Sequence, residues 1–98
     1  MRIRVSDQVV DFVRRLAPEP RRRVREALRA LGRGEGDIKA LEAPLAGYCR
    51  LRVGNFRIVF VQATPGRIDC IFIERRALVY EVFAAALADR LRGKPDPG

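Results

Sequence analysis

Histidine is absent from this sequence of 98 residues, and its absence limits the chemistry that the chain can perform. Histidine is the side chain that ordinarily changes its charge near neutral pH, so acid–base catalysis here would need Tyr, Glu, Asp or Lys side chains, or an unusual arginine environment. A zinc or iron site would need an uncommon set of ligands. The sequence therefore predicts neither a metal site nor a histidine-dependent enzyme.

Cysteines are few and long apolar runs are missing, which excludes further classes of protein. Cys49 and Cys70 fall in predicted strands without the spacing of metal ligands, so we expect buried structural thiols. No stretch approaches the ~20 apolar residues of a membrane span. The first residues, MRIRVS, are typical of a strand and not of a secretory signal. We expect a cytoplasmic protein without a membrane partner and without a small-molecule cofactor.

Positive charge is what the chain has in excess. It contains 20 Lys and Arg against 12 Asp and Glu, for a net charge of +8, and only Lys39 and Lys94 are lysines. A GC-rich genome is one explanation for the choice of arginine. The net charge itself predicts a polyanionic partner, either nucleic acid or an acidic protein. Arginine suits phosphate because its planar guanidinium can donate two parallel hydrogen bonds.

Hydrophobic periodicity and turn residues divide the chain into seven elements. Residues 2–5 alternate as a short strand, and Ser6 is a candidate N-cap for a helix beginning at Asp7. The segment Pro18-Glu19-Pro20 predicts the end of that helix, with Pro20 opening a second one. The segment DIKALEAPLAG (37–47) is predicted to be a loop. Three strands follow, CRLRVG, FRIVFVQ and RIDCIFIE, and then a helix that ends near Gly93.

This order of elements predicts an α+β fold. We expect one small domain, a sandwich of order β-α-α-β-β-β-α, with its helices packed on one face of a largely antiparallel four-stranded sheet. Part of the other face would stay open. The predicted domain spans residues 2–92, and residues 93–98 are predicted to be a disordered tail.

Several arginines are predicted to share the open face of the sheet. Arg50 and Arg52 lie on one side of the first strand of the three-stranded meander, because alternate residues of a strand point to the same face. If Ile58 and Phe60 meet the helices, Arg57 on the next strand joins the two arginines. The tight Gly-Asn turn between these strands would bring the three guanidinium groups together.

Two interpretations of these arginines remain open. They are either an ordinary solvated face or a site for a negatively charged ligand. Like charges on neighbouring strands destabilise a sheet, and the acids nearest in sequence are few, chiefly Asp69 and Glu74. The third strand closes on Arg75-Arg76, with Tyr80 shortly after, and Tyr80 could equally be a residue that packs on the sheet.

The segment GYCRLRVGNFRIVF and the closing RRALVY, together with the order of elements, resemble the RelE/ParE superfamily of toxin–antitoxin toxins, and more specifically its RelE branch. The resemblance covers nearly the whole chain, from Arg2 to about Leu91. It implies a metal-independent, ribosome-dependent mRNA endoribonuclease that inhibits translation. It also implies a cognate antitoxin as partner, besides the ribosome and mRNA.

The resemblance assigns the functional positions residue by residue. The catalytic positions of the branch fall on Arg50, Arg52, Arg57, Arg76 and Tyr80. Arg75, Tyr48 and Lys39 are candidate RNA contacts, although a structural role fits Tyr48 better. Some members have lysines on the first meander strand and a histidine before the C-terminal arginine, and this chain has neither.

The reaction that the resemblance implies is attack of a ribose 2′-OH on the adjacent phosphate. Arginines would stabilise the charge on the phosphorane but stay protonated, so they are poor bases. Tyr80 is the candidate base, with Glu74 as a weaker one, and Tyr80 could instead stack on a splayed nucleobase. Two alternatives stay open: a ParE-type toxin that acts on DNA gyrase, and a catalytically degenerate binding module.

Overall fold

Five strands and three helices make up the described part of a computed structural model, which covers residues 1–75 and 79–93. Their order is β1 (Arg2–Val5), α1 (Asp7–Arg14), α2 (Pro18–Gly32), β2 (Asp37–Ala40), β3 (Cys49–Val53), β4 (Phe56–Thr64), β5 (Arg67–Arg75) and α3 (Val79–Gly93). The prediction of a small α+β fold is therefore confirmed.

The strands form one sheet in the spatial order β1-β5-β4-β3-β2. Strand β1 runs parallel to β5, whereas the other neighbouring pairs are antiparallel, as predicted for a largely antiparallel sheet. The predicted number of four strands is wrong, because the sheet has five. The extra strand is β2, Asp37–Ala40, which the sequence placed in a loop and which pairs with β3 at the sheet edge.

Helices α1 and α2 cover one face of the sheet, as predicted, and enclose the main core. Alternate apolar residues of β3, β4 and β5 point towards these helices. The buried members of this cluster, called here the first cluster, are Val9, Val13, Leu16, Val24, Leu31, Leu51, Phe56, Ile58, Phe60, Ile68, Cys70 and Ile73.

Helix α3 packs on the opposite face, so the prediction that all helices share one face is wrong. Phe83 of α3 is buried against Val59, the residue that follows Ile58 of the first cluster, and consecutive strand residues point to opposite faces. The second cluster consists of Leu45, Val59 and Phe83, with Leu41, Tyr48, Ile71, Phe72, Tyr80 and Leu87 packed around them. Apolar side chains on both faces of β4 and β5 require a helix on each side.

Polar contacts fix both the start of α1 and its connection to α2. Ser6 caps α1, because its Oγ accepts a hydrogen bond from the Val9 N–H at 3.3 Å, which confirms the predicted N-cap. Helix α2 begins at Pro18, two residues before the predicted Pro20. Arg21 Nη2 donates to the Leu16 carbonyl at 2.9 Å, and this bond ties the start of α2 to the end of α1.

Gln8 extends the sheet beyond the short strand β1. Because β1 ends at Val5, the outer edge of β5 after Cys70 has no backbone strand beside it. The Gln8 side chain takes that place: its Nε2 donates to the Ile73 carbonyl at 2.7 Å, and its Oε1 accepts from the Ile73 N–H at 2.8 Å. The Ser6 hydroxyl likewise donates to the Ile71 carbonyl at 2.9 Å.

Both cysteines are free thiols. Cys70 is buried, and burial together with the charge of Asp69 raises the pKa of its thiol to about 12, so it stays neutral at physiological pH. Cys49 is half-buried beside the first cluster. The expectation of a buried structural thiol therefore fits Cys70 better than Cys49.

The last described element is α3, which ends at Gly93. Residues 94–98, the greater part of the predicted tail, lie outside the described residues. Across residues 1–75 and 79–93, no helix is both long enough and apolar enough to cross a membrane.

Replacing Gln8 with Ala should destabilise the fold, because the Ile73 N–H and carbonyl would both lose their partner in a partly buried position. We expect the free energy of unfolding to fall by about 1–3 kcal/mol. Urea denaturation measures this change. Gln62→Ala, at an exposed position of β4, is the matched control and should change the stability by less than about 0.5 kcal/mol. Equal effects at the two positions would contradict the bridging role of Gln8.

Candidate functional site

Arg50, Arg52 and Arg57 project from the same face of the sheet and are called here the arginine face. In the β3–β4 hairpin, the Cα partner of Arg52 is Arg57, and the Cα partner of Arg50 is Val59 of the second cluster. The three arginines therefore lie on the α3 side, away from α1 and α2, as the alternation in the sequence predicted. Arg52 is exposed, whereas Arg50 and Arg57 are partly buried.

The hairpin turn holds Arg57 in place. The turn contains two residues, Gly54 and Asn55, between the paired positions Val53 and Phe56, and Gly54 has a φ of +55° that favours glycine. Arg57 Nη1 donates to the Gly54 carbonyl at 3.0 Å and to the Phe56 carbonyl at 3.1 Å. The guanidinium of Arg57 thus also stabilises the turn that positions it.

Asp37 is a member of this site that the sequence did not predict. Its Oδ1 lies 3.1 Å from Arg50 Nη1, its backbone carbonyl accepts from the same nitrogen at 2.9 Å, and its Oδ2 lies 4.0 Å from Arg52 Nε. The Arg50 side chain is only 16% exposed, whereas Asp37 and Arg52 are each 53% exposed. Asp37 was missed because its segment was assigned to a loop, and only its pairing with β3 places it opposite Arg52.

The two acids expected near the arginines have different positions. Glu74 is the Cα partner of Arg57 and so lies on the arginine side of the sheet, where its Oε1 accepts from the Arg75 N–H at 3.0 Å. Asp69 is opposite Val61, further along β4, and its carboxylate lies 3.1 Å from Arg67. Of this pair, only Glu74 therefore belongs to the site.

Both tyrosines lie on the same side of the sheet as the arginine face. Tyr80, in the first turn of α3, is half-buried and packs against the second cluster. Tyr48 precedes β3 and makes an edge-to-face contact with Phe83, with ring centroids 5.2 Å apart and an interplanar angle of 78°. The packing of Tyr48 fits the structural role that the sequence favoured, and Tyr80 has packing contacts of its own.

The remaining candidates are split between the two faces. Lys39 is exposed on β2 as the Cα partner of Arg50, so it joins the arginine face at the edge. Arg75 pairs with Phe56 and lies on the opposite face, where its guanidinium carbon is 5.8 Å from the Phe12 ring centroid and 5.6 Å from that of Phe56. Arg75, a candidate RNA contact in the sequence, therefore lies on the face opposite to Arg50, Arg52 and Arg57. Arg76 lies outside the described residues.

The chemistry that this arrangement offers is anion binding. Guanidinium groups and a lysine at one end of a sheet face match phosphate or carboxylate oxygens, and arginine keeps its charge at any physiological pH. Among the described side chains, no three Cys, Asp or Glu residues lie close enough together to hold a metal ion.

Solved structures with a similar fold come from toxin–antitoxin complexes. A chain of the RelBE2 complex from Mycobacterium tuberculosis is 20% identical and has a TM-score of 0.66, with 78% of this chain and 91% of that chain covered. A chain of the RelB–RelE complex from Methanococcus jannaschii is 20% identical and has a TM-score of 0.63, with 82% of this chain and 98% of that chain covered. A chain of the YoeB–YefM complex from Staphylococcus aureus is 19% identical and has a TM-score of 0.61, with 78% of this chain and 97% of that chain covered.

These likenesses show that the chain has a RelE-like toxin fold, which confirms at the level of the fold the resemblance carried by the hairpin motif. No protein-family model matches the sequence, and no curated protein matches it either.

Substituting Arg75 by Gln should cost the fold a small amount of stability, because the guanidinium between the Phe12 and Phe56 rings would be lost. We expect the free energy of unfolding to fall by about 0.5–1 kcal/mol, the usual size of an exposed cation–π interaction. Thermal or urea denaturation measures the change. Arg29→Gln alters the same charge on an exposed position of α2 and should leave the stability nearly unchanged. Indistinguishable stabilities for the two variants would rule out a stabilising contact at Arg75.

Proposed function

We propose that this protein is the toxin of a toxin–antitoxin pair and that it cleaves mRNA. The observation that supports the proposal most is the arginine face: Arg50, Arg52 and Arg57 are gathered on one side of the sheet, in a fold similar to that of toxin–antitoxin complexes. An excess of positive charge, +8 over the whole chain, favours a polyanionic substrate.

The proposed reaction needs no metal. The ribose 2′-oxygen attacks the adjacent phosphorus and loses its proton to a base, the bond from phosphorus to the 5′-oxygen breaks, and that oxygen gains a proton. The products are a 2′,3′-cyclic phosphate and a free 5′-OH. Arg52 and Arg57 would stabilise the negative charge that develops on the phosphorane, a role in which one preorganised donor contributes about 3–4 kcal/mol. Arg76 is assigned the same role by the resemblance alone.

Tyr80 is the proposed general base. It lies on the same side of the sheet as the arginines, at the start of α3. Glu74 is a second candidate, because its Cα is directly opposite that of Arg57. Neither group is an efficient base in isolation, which fits an enzyme that depends on the ribosome to orient the mRNA.

The proposed partners are the ribosome with its mRNA and a cognate antitoxin, in the cytoplasm. An antitoxin that neutralises this chain would have to shield the arginine face or displace α3 from it, and an acidic segment suits the first route. The tyrosines, the arginines and α3 meet on one side of the sheet, so one wrapped segment can cover all of them.

Arg52→Gln should abolish most mRNA cleavage while the protein stays folded. Arg52 is exposed, and within the described residues its one ion-pair contact is the long 4.0 Å distance to Asp37, so its loss costs little stability. We expect the rate of single-turnover cleavage of ribosome-bound mRNA to fall by about a hundred- to a thousandfold. Arg57 is a less clean test, because its side chain also binds the hairpin turn.

The control for Arg52→Gln is Arg29→Gln, an equal change of charge on the other side of the sheet. It should cleave at the wild-type rate. Cleavage by the Arg52 variant at the wild-type rate would remove this residue from the site.

Tyr80→Phe tests the proposed base, since it removes only the hydroxyl and keeps the ring that packs on the second cluster. We expect cleavage to be lost and the melting temperature to stay within a few degrees of the wild type. Glu74→Gln, tested beside it, should retain most activity. The reverse result would move the role of base to Glu74.

Expression of the chain in cells separates the proposal from the two other interpretations. Translation arrest with mRNA cuts on ribosomes is the expected result. An SOS response with DNA breaks would indicate a ParE-type toxin that acts on gyrase. Expression without any toxicity would indicate a catalytically degenerate binding module.

A further inference from the structure

We infer that Asp37 competes with RNA phosphate for Arg50 and Arg52, and so determines which arginines of the site contact the substrate. The inference rests on the proposed function, because it concerns how the same site binds RNA. It assigns to Asp37 a positioning role.

The contacts of Asp37 are those that a bound phosphate would make. A carboxylate and a phosphate both present oxygens that pair with guanidinium N–H groups. One oxygen of Asp37 lies 3.1 Å from Arg50 Nη1, and the other lies 4.0 Å from Arg52 Nε. The carboxylate therefore bridges the two arginines on the side that a phosphate would approach.

Arg50 is held by more than this carboxylate. Its Nη1 also donates to the backbone carbonyl of Asp37 at 2.9 Å, and its side chain is 16% exposed. Removing the charge of Asp37 would leave that backbone hydrogen bond intact. A variant without the carboxylate should consequently keep Arg50 in place and make its guanidinium available to a phosphate.

The position of Asp37 also allows a phosphate to displace its carboxylate from the arginines. Its side chain is 53% exposed, and it lies at the start of β2, a strand of four exposed residues at the sheet edge. An exposed ion pair is weak, typically 0–1 kcal/mol, so phosphate groups can displace the carboxylate. In the resting protein, however, Asp37 occupies Arg50, and the exposed Arg52, whose contact to Asp37 is 4.0 Å long, is left as the first contact for RNA.

A simpler role for Asp37 would be to offset repulsion. Arg52 and Arg57 are directly opposite one another, and like charges in that position destabilise a sheet. If this were the whole role, removing the carboxylate would lower the stability and would add no phosphate contact. The two roles therefore predict different effects on RNA binding.

The test compares Asp37→Asn with Glu35→Gln in the full chain. Both substitutions remove one negative charge. Glu35 is an exposed acid two residues from Asp37, and its ion pair is with Arg33 and not with Arg50 or Arg52, so it serves as the matched control. The probe is a short single-stranded RNA whose riboses all carry 2′-O-methyl groups, which prevents cleavage. Its affinity is measured by fluorescence anisotropy over a series of salt concentrations.

We expect Asp37→Asn to bind the probe about two- to fivefold more tightly at low salt, the equivalent of one exposed ion pair. The slope of log affinity against log salt should steepen by about 0.7, the value for one further phosphate contact on a single strand. Glu35→Gln should leave the slope unchanged. Equal effects of the two variants, or an unchanged slope for Asp37→Asn, would overturn the inference.

Arg50→Gln in both backgrounds completes the test as a double-mutant cycle. This substitution should lower RNA affinity more in the Asp37→Asn background, where it reverses the gain, than in the wild-type background, where Asp37 already occupies the Arg50 guanidinium. The same loss in both backgrounds would overturn the competition. Asp37→Thr, which suits a strand, serves as a second variant if Asp37→Asn lowers the melting temperature.

The outcome separates this inference from the proposed function. If the wild-type chain cleaves mRNA on ribosomes but Asp37→Asn binds the probe as the wild type does, the function stands and the role of Asp37 is wrong. If the wild-type chain neither binds the probe nor cleaves mRNA, the proposed function itself is wrong.

Discussion

The register of the β3–β4 hairpin is the constraint on which both the core and the candidate site depend. In the observed register, Leu51 and Ile58 are partners inside the first cluster, and Arg52 and Arg57 are partners on the opposite face. A slip of one residue would send every side chain of a strand to the other face. The arginines would then enter the core, where unpaired charges are costly. The need to bury Leu51 and Ile58 therefore also gathers the arginines.

The second cluster decides where the arginine face ends. Strands β4 and β5 shift register between Val59 and Phe60, and both Ile71 and Phe72 pack with the second cluster. Helix α3 covers this apolar patch with Phe83, whereas Arg52 at the hairpin end of the sheet stays exposed. The candidate site consequently lies at the border between an apolar layer, which includes Tyr80, and a charged sheet surface.

Much of this arrangement could be predicted from the sequence, because alternation along a strand assigns side chains to faces. CRLRV and FRIVF alternate clearly enough to place Arg50, Arg52 and Arg57 together. Strand β2 could not be found in this way: DIKA has low strand propensity and four exposed residues, and it is a strand because it pairs with β3. The face on which α3 packs does not follow from the order of elements; its signal is the apolar residues on both faces of β4 and β5, which require a helix on each side. Arg75, by contrast, lies two residues after Ile73 in β5, so the alternation of the strand could have placed it on the face of the first cluster.

The acids that the sheet brings to the arginines change the argument for a ligand. Considered along the sequence, the arginines appeared to repel one another with few acids to offset them, which favoured an external anion. In the fold, Asp37 contacts Arg50, and Glu74 lies opposite Arg57. Because the face carries its own counter-charges, repulsion alone no longer requires a ligand. RNA is supported as the proposed ligand by the exposure of Arg52, by the toxin-like fold and by the weakness of an exposed carboxylate as a competitor. In the proposed RNA complex, each phosphate contact would replace a weak internal ion pair and would not have to assemble the arginines, which the fold already holds together.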